Sequence, residues 1–342
     1  MKAARFYARH KLLVEDIPER APMDNEVKIR VRYCGICGTD VHIYEGDKGS
    51  AEVTPPVTLG HEFSGDIVAL GGGVTAFRPG DRVSVDPNAY CGRCYFCRNG
   101  KKQLCEHMIG LGTVADGGFA EYVTVPQELV FPIADNVSYR AAAMTEPLSC
   151  CLHGMDLTGV EIGDTVMVIG AGNIGQMMIQ LARHAGAYRI IAVEPNPARL
   201  RMAEKFGADI LIDPSSDDTA AVLAKHAVGC VNKVIDCAGR TNTAEYAIEH
   251  AGRGATVMIY GLTAPDEEMR LKPYTLFQKE LTVKGAFVNP DTFERAGRLL
   301  ARGIVNVEDM ITDIVDLSDI ASAFENRLYA KNGKVLIRCS AD

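Results

Sequence analysis

Through roughly the first 145 residues, apolar and polar positions alternate in short runs separated by Gly, Pro and Asp: EVKIRVRY, FSGDIVALGGG, DRVSVDP and FAEYVTVP. Period-two alternation between turn residues predicts half-buried strands, so this half is expected to be mostly β. From residue 163 the pattern changes. Apolar runs (TVMVIG, RIIAVE, DILID, NKVIDCAG, GATVMIYG) alternate with helix-length stretches such as IGQMMIQLARHAG and PARLRMAEKFG. Strand and helix in alternation predict a parallel sheet covered on both faces. After LTVKG at 281–285 come a further helix, FERAGRLLARG, and a closing strand, KVLIR, both expected to return to the first domain. No internal repeat, low-complexity tract or charge block interrupts the pattern.

Composition narrows the class. The chain has 342 residues, 47% hydrophobic and 23% charged, which suits a folded protein of about two domains. Acidic residues (44) outnumber basic ones (36) for a formal charge of -8, so there is no basic footprint for a nucleic-acid backbone. Charges interrupt MKAARFYARHKLLVEDIPE every few residues, which leaves neither a signal-peptide core nor a membrane span and makes a cytoplasmic protein the expectation. Eleven cysteines in such a chain point to thiols and metal ligands in preference to a disulfide framework.

Four of them lie in CGRCYFCRNGKKQLC, spaced C-x2-C-x2-C-x7-C at Cys91, Cys94, Cys97 and Cys105. Four thiolates on a turn-rich lobe suit tetrahedral zinc, and four protein ligands leave no position for a substrate, so this site is expected to be structural. An iron-sulfur cluster is the rival. The ferredoxin run places three residues before its last Cys and Pro after it, whereas here there are seven, then Glu106. An open metal site must lie elsewhere, and Cys37 in YCGICGTDVH with His61 and Glu62 in LGHEFSG supplies part of one. A lone histidine is commonly a satisfied core residue.

A third segment, GAGNIG at 170–175, follows the strand TVMVIG directly and opens the helix IGQMMIQLA. Gly170, Gly172 and Gly175 would bring a pyrophosphate to the helix amino terminus, where unpaired N–H groups favour anions. Glu194 ends the next strand nineteen residues beyond Gly175. An acid there hydrogen-bonds ribose hydroxyls and repels a 2'-phosphate, so NAD is expected over NADP, although Arg199 could serve such a phosphate.

CGTDVH, GHEFSG, GDRV, the four-cysteine lobe, GGFAEYV, EPLS and GAGNIG occur together, in order, from end to end of the chain. In this the sequence resembles the zinc-dependent medium-chain dehydrogenases. The resemblance implies an α/β fold: a GroES-like β-rich catalytic domain over 1–147 and 286–342, carrying a structural-zinc lobe at 88–107, and a doubly wound Rossmann domain over 148–285. It also implies two zincs, one catalytic and one structural, NAD, a small alcohol substrate, no nucleic-acid or membrane partner, and a homodimer or homotetramer. EPLS at 146–149 and phrases such as CGICGTD and VTLGHEFSG resemble the sorbitol, arabinitol and butanediol branch, in which a glutamate replaces a second cysteine ligand. Sorbitol dehydrogenases carry an aromatic residue where this chain has Ile43 and Arg where it has Val288, so a full sorbitol pocket is not expected.

By that resemblance Cys37 and His61 are catalytic-zinc ligands, with Glu62 and Glu146 sharing or exchanging the remaining protein position. Asp40 is expected to orient His61. Thr39 and His42 match a proton relay to solvent. Expected cofactor contacts are Gly170, Gly172, Asn173, Ile174, Gly175, Glu194, Arg199, Tyr260, Gly261, Leu262, Ala286, Phe287 and Val288; expected substrate contacts are Tyr44 and Asn289. Cys150 and Cys151 are read as packed thiols. The activity implied is hydride transfer from a secondary alcohol, polyol or vicinal diol to NAD. A threonine-type amino-alcohol dehydrogenase and a non-catalytic zinc- and NAD-binding sensor are the alternatives.

Overall fold

Strand β3 (Glu26–Gly35) shows how the alternating half folds: Val27, Ile29 and Val31 are fully buried while Lys28, Arg30 and Arg32 between them are only partly so. The computed structural model describes residues 1–47, 52–226, 228–331 and 333–340, and it divides into two units, Met1–Ser149 with Asn289–Asp342, and Cys150–Val288.

The first unit opens with β1 (Lys2–Ala8), β2 (Lys11–Asp16), β3 and helix α1 (Gly38–Tyr44). Then come β4 (Val57–Thr58), β5 (Glu62–Leu70), β6 (Arg82–Val85), β7 (Asn88–Ala89), α2 (Tyr95–Arg98), β8 (Ile109–Gly110), β9 (Tyr122–Pro126), β10 (Val130–Pro132) and α3 (Tyr139–Ala143). Helix α4 (Thr145–Thr158) carries the chain out, with Pro147 in its first turn, where the missing N–H costs nothing.

The second unit alternates β11 (Thr165–Ile169), α5 (Asn173–His184), β12 (Arg189–Val193), α6 (Pro197–Lys205), β13 (Ile210–Ile212), α7 (Thr219–Lys225), β14 (Lys233–Asp236), α8 (Thr241–His250), β15 (Thr256–Ile259), α9 (Pro273–Lys279) and β16 (Thr282–Gly285). These strands are all parallel in the order β13-β12-β11-β14-β15-β16, with the switch point between β11 and β14. Every residue of β11 is buried, as a central strand covered on both faces requires. This is the doubly wound fold that the strand–helix alternation predicts.

The returning segment adds α10 (Phe293–Ala301), β17 (Ile311–Asp316), α11 (Ile320–Glu325) and β18 (Lys334–Arg338) to the first unit. There β18 inserts into the main sheet, antiparallel to β3, in the order β10-β6-β5-β3-β18-β17, with β9 also paired to β3. The core behind this sheet gathers Val27, Ile29, Phe63, Ile67, Phe119 and Phe324.

Candidate active site and dinucleotide loop

Where β3 ends, Cys37 caps helix α1; where β5 begins, Glu62 stands opposite Gly35. The two strands thus deliver Cys37, His61 and Glu62 to one place, and their donor atoms lie within 4.8 Å of one another. Asp40, wholly buried, ties the pieces together. Its carboxylate accepts the Cys37 N–H at 2.9 Å and the Gly60 N–H at 3.3 Å, and it stands 3.6 Å from His61 Nδ1. Nδ1 makes no hydrogen bond among the described residues, and Asp40 is the charge that it faces.

Burial pulls the His61 pKa down, but Asp40 and Cys37 outweigh it and hold the imidazole well above its ordinary value. A field that favours a proton on His61 also favours a metal cation, and a thiolate, an imidazole and a carboxylate form a donor set suited to zinc, with room for a fourth ligand. The residues fit the group.

The other predicted members lie nearby in sequence or on adjoining elements of this unit. Thr39 and His42 are half-buried and three residues apart on α1, hence on one face, and His42 Nδ1 is 3.4 Å from Asp47 Oδ2. Glu146 is buried in the first turn of α4, where its carbonyl accepts the Ser149 hydroxyl at 2.6 Å, but it is not one of the three converging donors.

Two residues expected to touch substrate occupy different surroundings. Tyr44 is core: its ring centroid lies 5.0 Å from Phe324 and 5.2 Å from His10, and 5% of it is exposed. Asn289 is wholly buried, accepting from Asn88 Nδ2 at 2.7 Å while its own Nδ2 donates to Ser149 Oγ at 2.7 Å and Asp86 Oδ1 at 3.3 Å. A fully hydrogen-bonded amide at the point where the chain re-enters the unit holds the scaffold. Ile43 is also core.

The four-cysteine lobe is separate. Sγ atoms of Cys91, Cys94, Cys97 and Cys105 lie within 4.8 Å of one another, with Cys91 and Cys97 at 4.0 Å. Tetrahedral thiolates at ~2.3 Å from zinc stand about 3.8 Å apart, whereas a disulfide needs ~2.05 Å, so the spacing fits the metal. Backbone N–H groups of Cys97 and Glu106 draw the Cys94 thiol down to about 6, and those of Arg93 and Cys94 lower Cys91. Burial, with Cys94 and Cys105 alongside, pushes Cys97 up to about 12, which marks an anionic cluster that a cation would relieve. Cys151 instead packs 3.9 Å from Met177 Sδ in the second unit.

In that unit Gly170, at φ +84°, turns the chain from β11 toward α5, and Gly172 caps the helix that Asn173 and Ile174 begin. Gly175 lies so close to this turn that a Cβ would overlap the Gly170 carbonyl oxygen. Glu194, just beyond β12 and 4% exposed, accepts the Ala171 N–H at 2.8 Å and the Asn196 N–H at 3.0 Å. These use two of a carboxylate's about four acceptor positions. Arg199 Nη1 is 4.0 Å from Glu194 Oε2. Tyr260 and Gly261 donate their amides to the Asp236 carbonyl at 2.9 and 2.8 Å, and Leu262 beyond them is exposed. Ala286, Phe287 and Val288 follow β16, with Val288 in the left-handed region at φ +48°. The loop's anion-ready helix terminus and the acid beyond β12 fit a dinucleotide.

Lys334 is the residue the sequence did not reveal. It is 3% exposed and ion-paired with Glu62, 272 positions away. In GKVLIR it reads as the first residue of a strand, and only the β18–β3–β5 arrangement exposes its role.

Residues 23–135 match the family model for the alcohol dehydrogenase GroES-like domain, and 173–302 match that for zinc-binding dehydrogenases. Over 346 aligned residues the chain is 34% identical to D-arabitol-phosphate dehydrogenase of Enterococcus avium, covering all of this chain and 97% of the relative. It is 37% identical to sorbitol dehydrogenase of Halalkalibacterium halodurans across 95% of this chain and 94% of the relative. Among solved structures, a zinc-binding dehydrogenase from Sinorhizobium meliloti bound to NADP superposes with a TM-score of 0.94 at 38% identity, covering 98% of both chains.

Proposed function

The chain belongs to the zinc-dependent medium-chain polyol dehydrogenases, and from that premise we propose that it oxidises a secondary hydroxyl of a small polyol or vicinal diol with NAD as acceptor. The observation that carries the reading is the three-donor cluster of Cys37, His61 and Glu62, which is open where the four-cysteine lobe is closed.

A zinc ion held by these three would supply the charge that brings a hydroxyl's pKa from roughly 15.7 toward ~7. A nicotinamide dinucleotide held by the GAGNIG loop supplies the hydride acceptor. The remaining work falls to the chain. Asp40 fixes the Cys37 backbone and faces His61 Nδ1, leaving the other ring nitrogen for the metal. Thr39 would accept the substrate's hydroxyl proton while releasing its own, and His42, one turn along α1, is the imidazole by which the proton reaches solvent. Glu146 accepts a hydrogen bond from the hydroxyl next to the reacting carbon, which a thiolate in its place would do poorly. Glu194 accepts the adenosine ribose hydroxyls and repels a 2'-phosphate, with Arg199 already drawn toward that acid.

The chain is proposed to act as a homodimer or homotetramer. All four residues of the edge strand β16 are exposed and its outer backbone is unpaired among the described residues, with Tyr274 and Phe277 exposed on the preceding helix. Such an edge is a ready template for pairing with a second copy. No helix among the described residues is long and apolar enough to cross a membrane, and a cytoplasmic site of action is proposed.

The test is NAD reduction over a panel of polyols, vicinal diols, simple secondary alcohols and threonine. Vicinal polyols or diols should give the highest kcat/KM. Threonine outperforming all of them would move the enzyme to the amino-alcohol branch.

A further inference from the structure

A lysine is rarely buried without a partner, because its ammonium loses hydration that only a close anion replaces. Lys334 at the head of β18 is buried, and its ammonium meets the Glu62 carboxylate, which is 1% exposed. The fold makes deliberate room for this pair. Gly35 faces Glu62 across the β3–β5 ladder and Leu336 across the β3–β18 ladder. Any Cβ at Gly35 would overlap Glu62 Oε2 and come within 2.7 Å of Lys334 Cε. Three strands therefore converge on one ion pair, with a glycine as the gap that admits it.

The same Glu62 converges with Cys37 and His61. It stands between two positions for positive charge, the three-donor cluster and the Lys334 ammonium. Cys37 as thiolate, Glu62 and Asp40 are three anions, against which a divalent metal supplies two positive charges; Lys334 adds a third directly at Glu62.

We propose that Lys334 is a positioning residue for the catalytic metal: it divides Glu62 with the three-donor site and so sets how tightly that site holds its ion. The inference rests on the catalytic-metal reading above. Removing the lysine charge gives Glu62 to the metal alone and tightens binding. A lysine that merely braces the sheet would, when removed, loosen the site or leave it unchanged.

The test uses the full-length enzyme, zinc-loaded and chelator-stripped, as wild type, Lys334→Met, Lys334→Gln, Lys334→Arg, Glu62→Gln and the Glu62→Gln/Lys334→Met double variant. Zinc per chain is counted, and affinity at the weaker site is measured by competition with a chromogenic chelator. Lys334→Met should bind zinc more tightly, by about 10- to 100-fold: changes beside metal ligands act on that scale, usually as a loss, and the sign reverses here because the partner removed is a cation. Its Tm gap between loaded and stripped forms should widen. Lys334→Gln, which keeps a hydrogen-bond donor for Glu62 but loses the charge, should tighten in the same direction and serves if the methionine variant does not fold. Lys334→Arg should match wild type. With Glu62→Gln as background, Lys334→Met should change affinity by no more than about twofold, the scale on which independent sites add.

Equal or weaker zinc binding in both neutral Lys334 variants overturns the proposal. So does an undiminished gain in the Glu62→Gln background, because the lysine would then act on the metal without Glu62. Wild-type enzyme with a single zinc at full activity would overturn the catalytic-metal reading itself. Two zincs with affinity indifferent to Lys334 would overturn this inference alone.

Discussion

Asp40→Asn is the most informative single change, because one buried carboxylate serves the Cys37 amide, the Gly60 amide and the His61 ring. The substitution keeps the shape and removes the charge. An asparagine has one acceptor oxygen where aspartate has two, so its NH2 must face either the Cys37 or the Gly60 N–H, donor against donor. One charge-assisted bond is lost, and one buried N–H is orphaned at about 1–3 kcal/mol. With the ligand helix loosened and the charge facing His61 gone, zinc affinity should fall about 10- to 100-fold, and kcat/KM with it at limiting zinc. Chelator competition reads the affinity, and urea unfolding of the stripped protein reads the stability. Unchanged zinc affinity together with unchanged unfolding would refute the assignment of Asp40 as the tie between the two ligand segments.

Other expectations follow from separate parts of the structure. Cys94→Ser should remove one zinc per chain and lower Tm, while substrate KM in the surviving folded fraction stays near wild type; metal analysis beside calorimetry reads both. Glu194→Ser should narrow the preference for NAD over NADP by about tenfold or more in kcat/KM, and no narrowing would mean that the acid does not select the cofactor. Glu146→Ala should erase the advantage of vicinal diols over matched simple alcohols; equal wild-type rates on both would show that Glu146 does not read the second hydroxyl. Burial raises the Asp86 carboxyl to about 6 despite bonds from Asn88 and Asn289. A raised acid favours the folded state fully below its unfolded value of ~3.9 and loses that benefit as pH rises through about 6, a decline of ~3 kcal/mol. Asp86→Asn keeps Oδ1 as acceptor for the same donors, so above pH ~6 it should be more stable than wild type, and unfolding across that range giving parallel curves would contradict this.

The parallel sheet was legible because its strands are apolar runs of strand length set between amphipathic helices, a pattern that local sequence carries. The two clusters of possible metal donors were legible for a different reason. Cys91 to Cys105 fall within one short lobe, and Cys37, His61 and Glu62 flank strand ends in short motifs. What local pattern could not carry is pairing at long range. Lys334 meets Glu62 only because β18 returns beside β3, and Asn289 is consumed by Asp86, Asn88 and Ser149 only because the chain re-enters next to α4. Tyr44 sits two turns beyond Cys37 on α1, yet the helix's rotation sends it into the core against Phe324. A seven-residue helix is too short for its sequence to declare which face is buried.

The central claim is that turnover depends on a metal at Cys37, His61 and Glu62, distinct from the metal of the cysteine lobe. A chelator titration of wild-type enzyme, following zinc per chain and the initial rate of NAD reduction with a vicinal polyol together, tests it most directly. The account predicts two zincs at the outset and a rate that falls in proportion to loss of the first, while circular dichroism stays native. A rate that persists undiminished with one zinc remaining would contradict it.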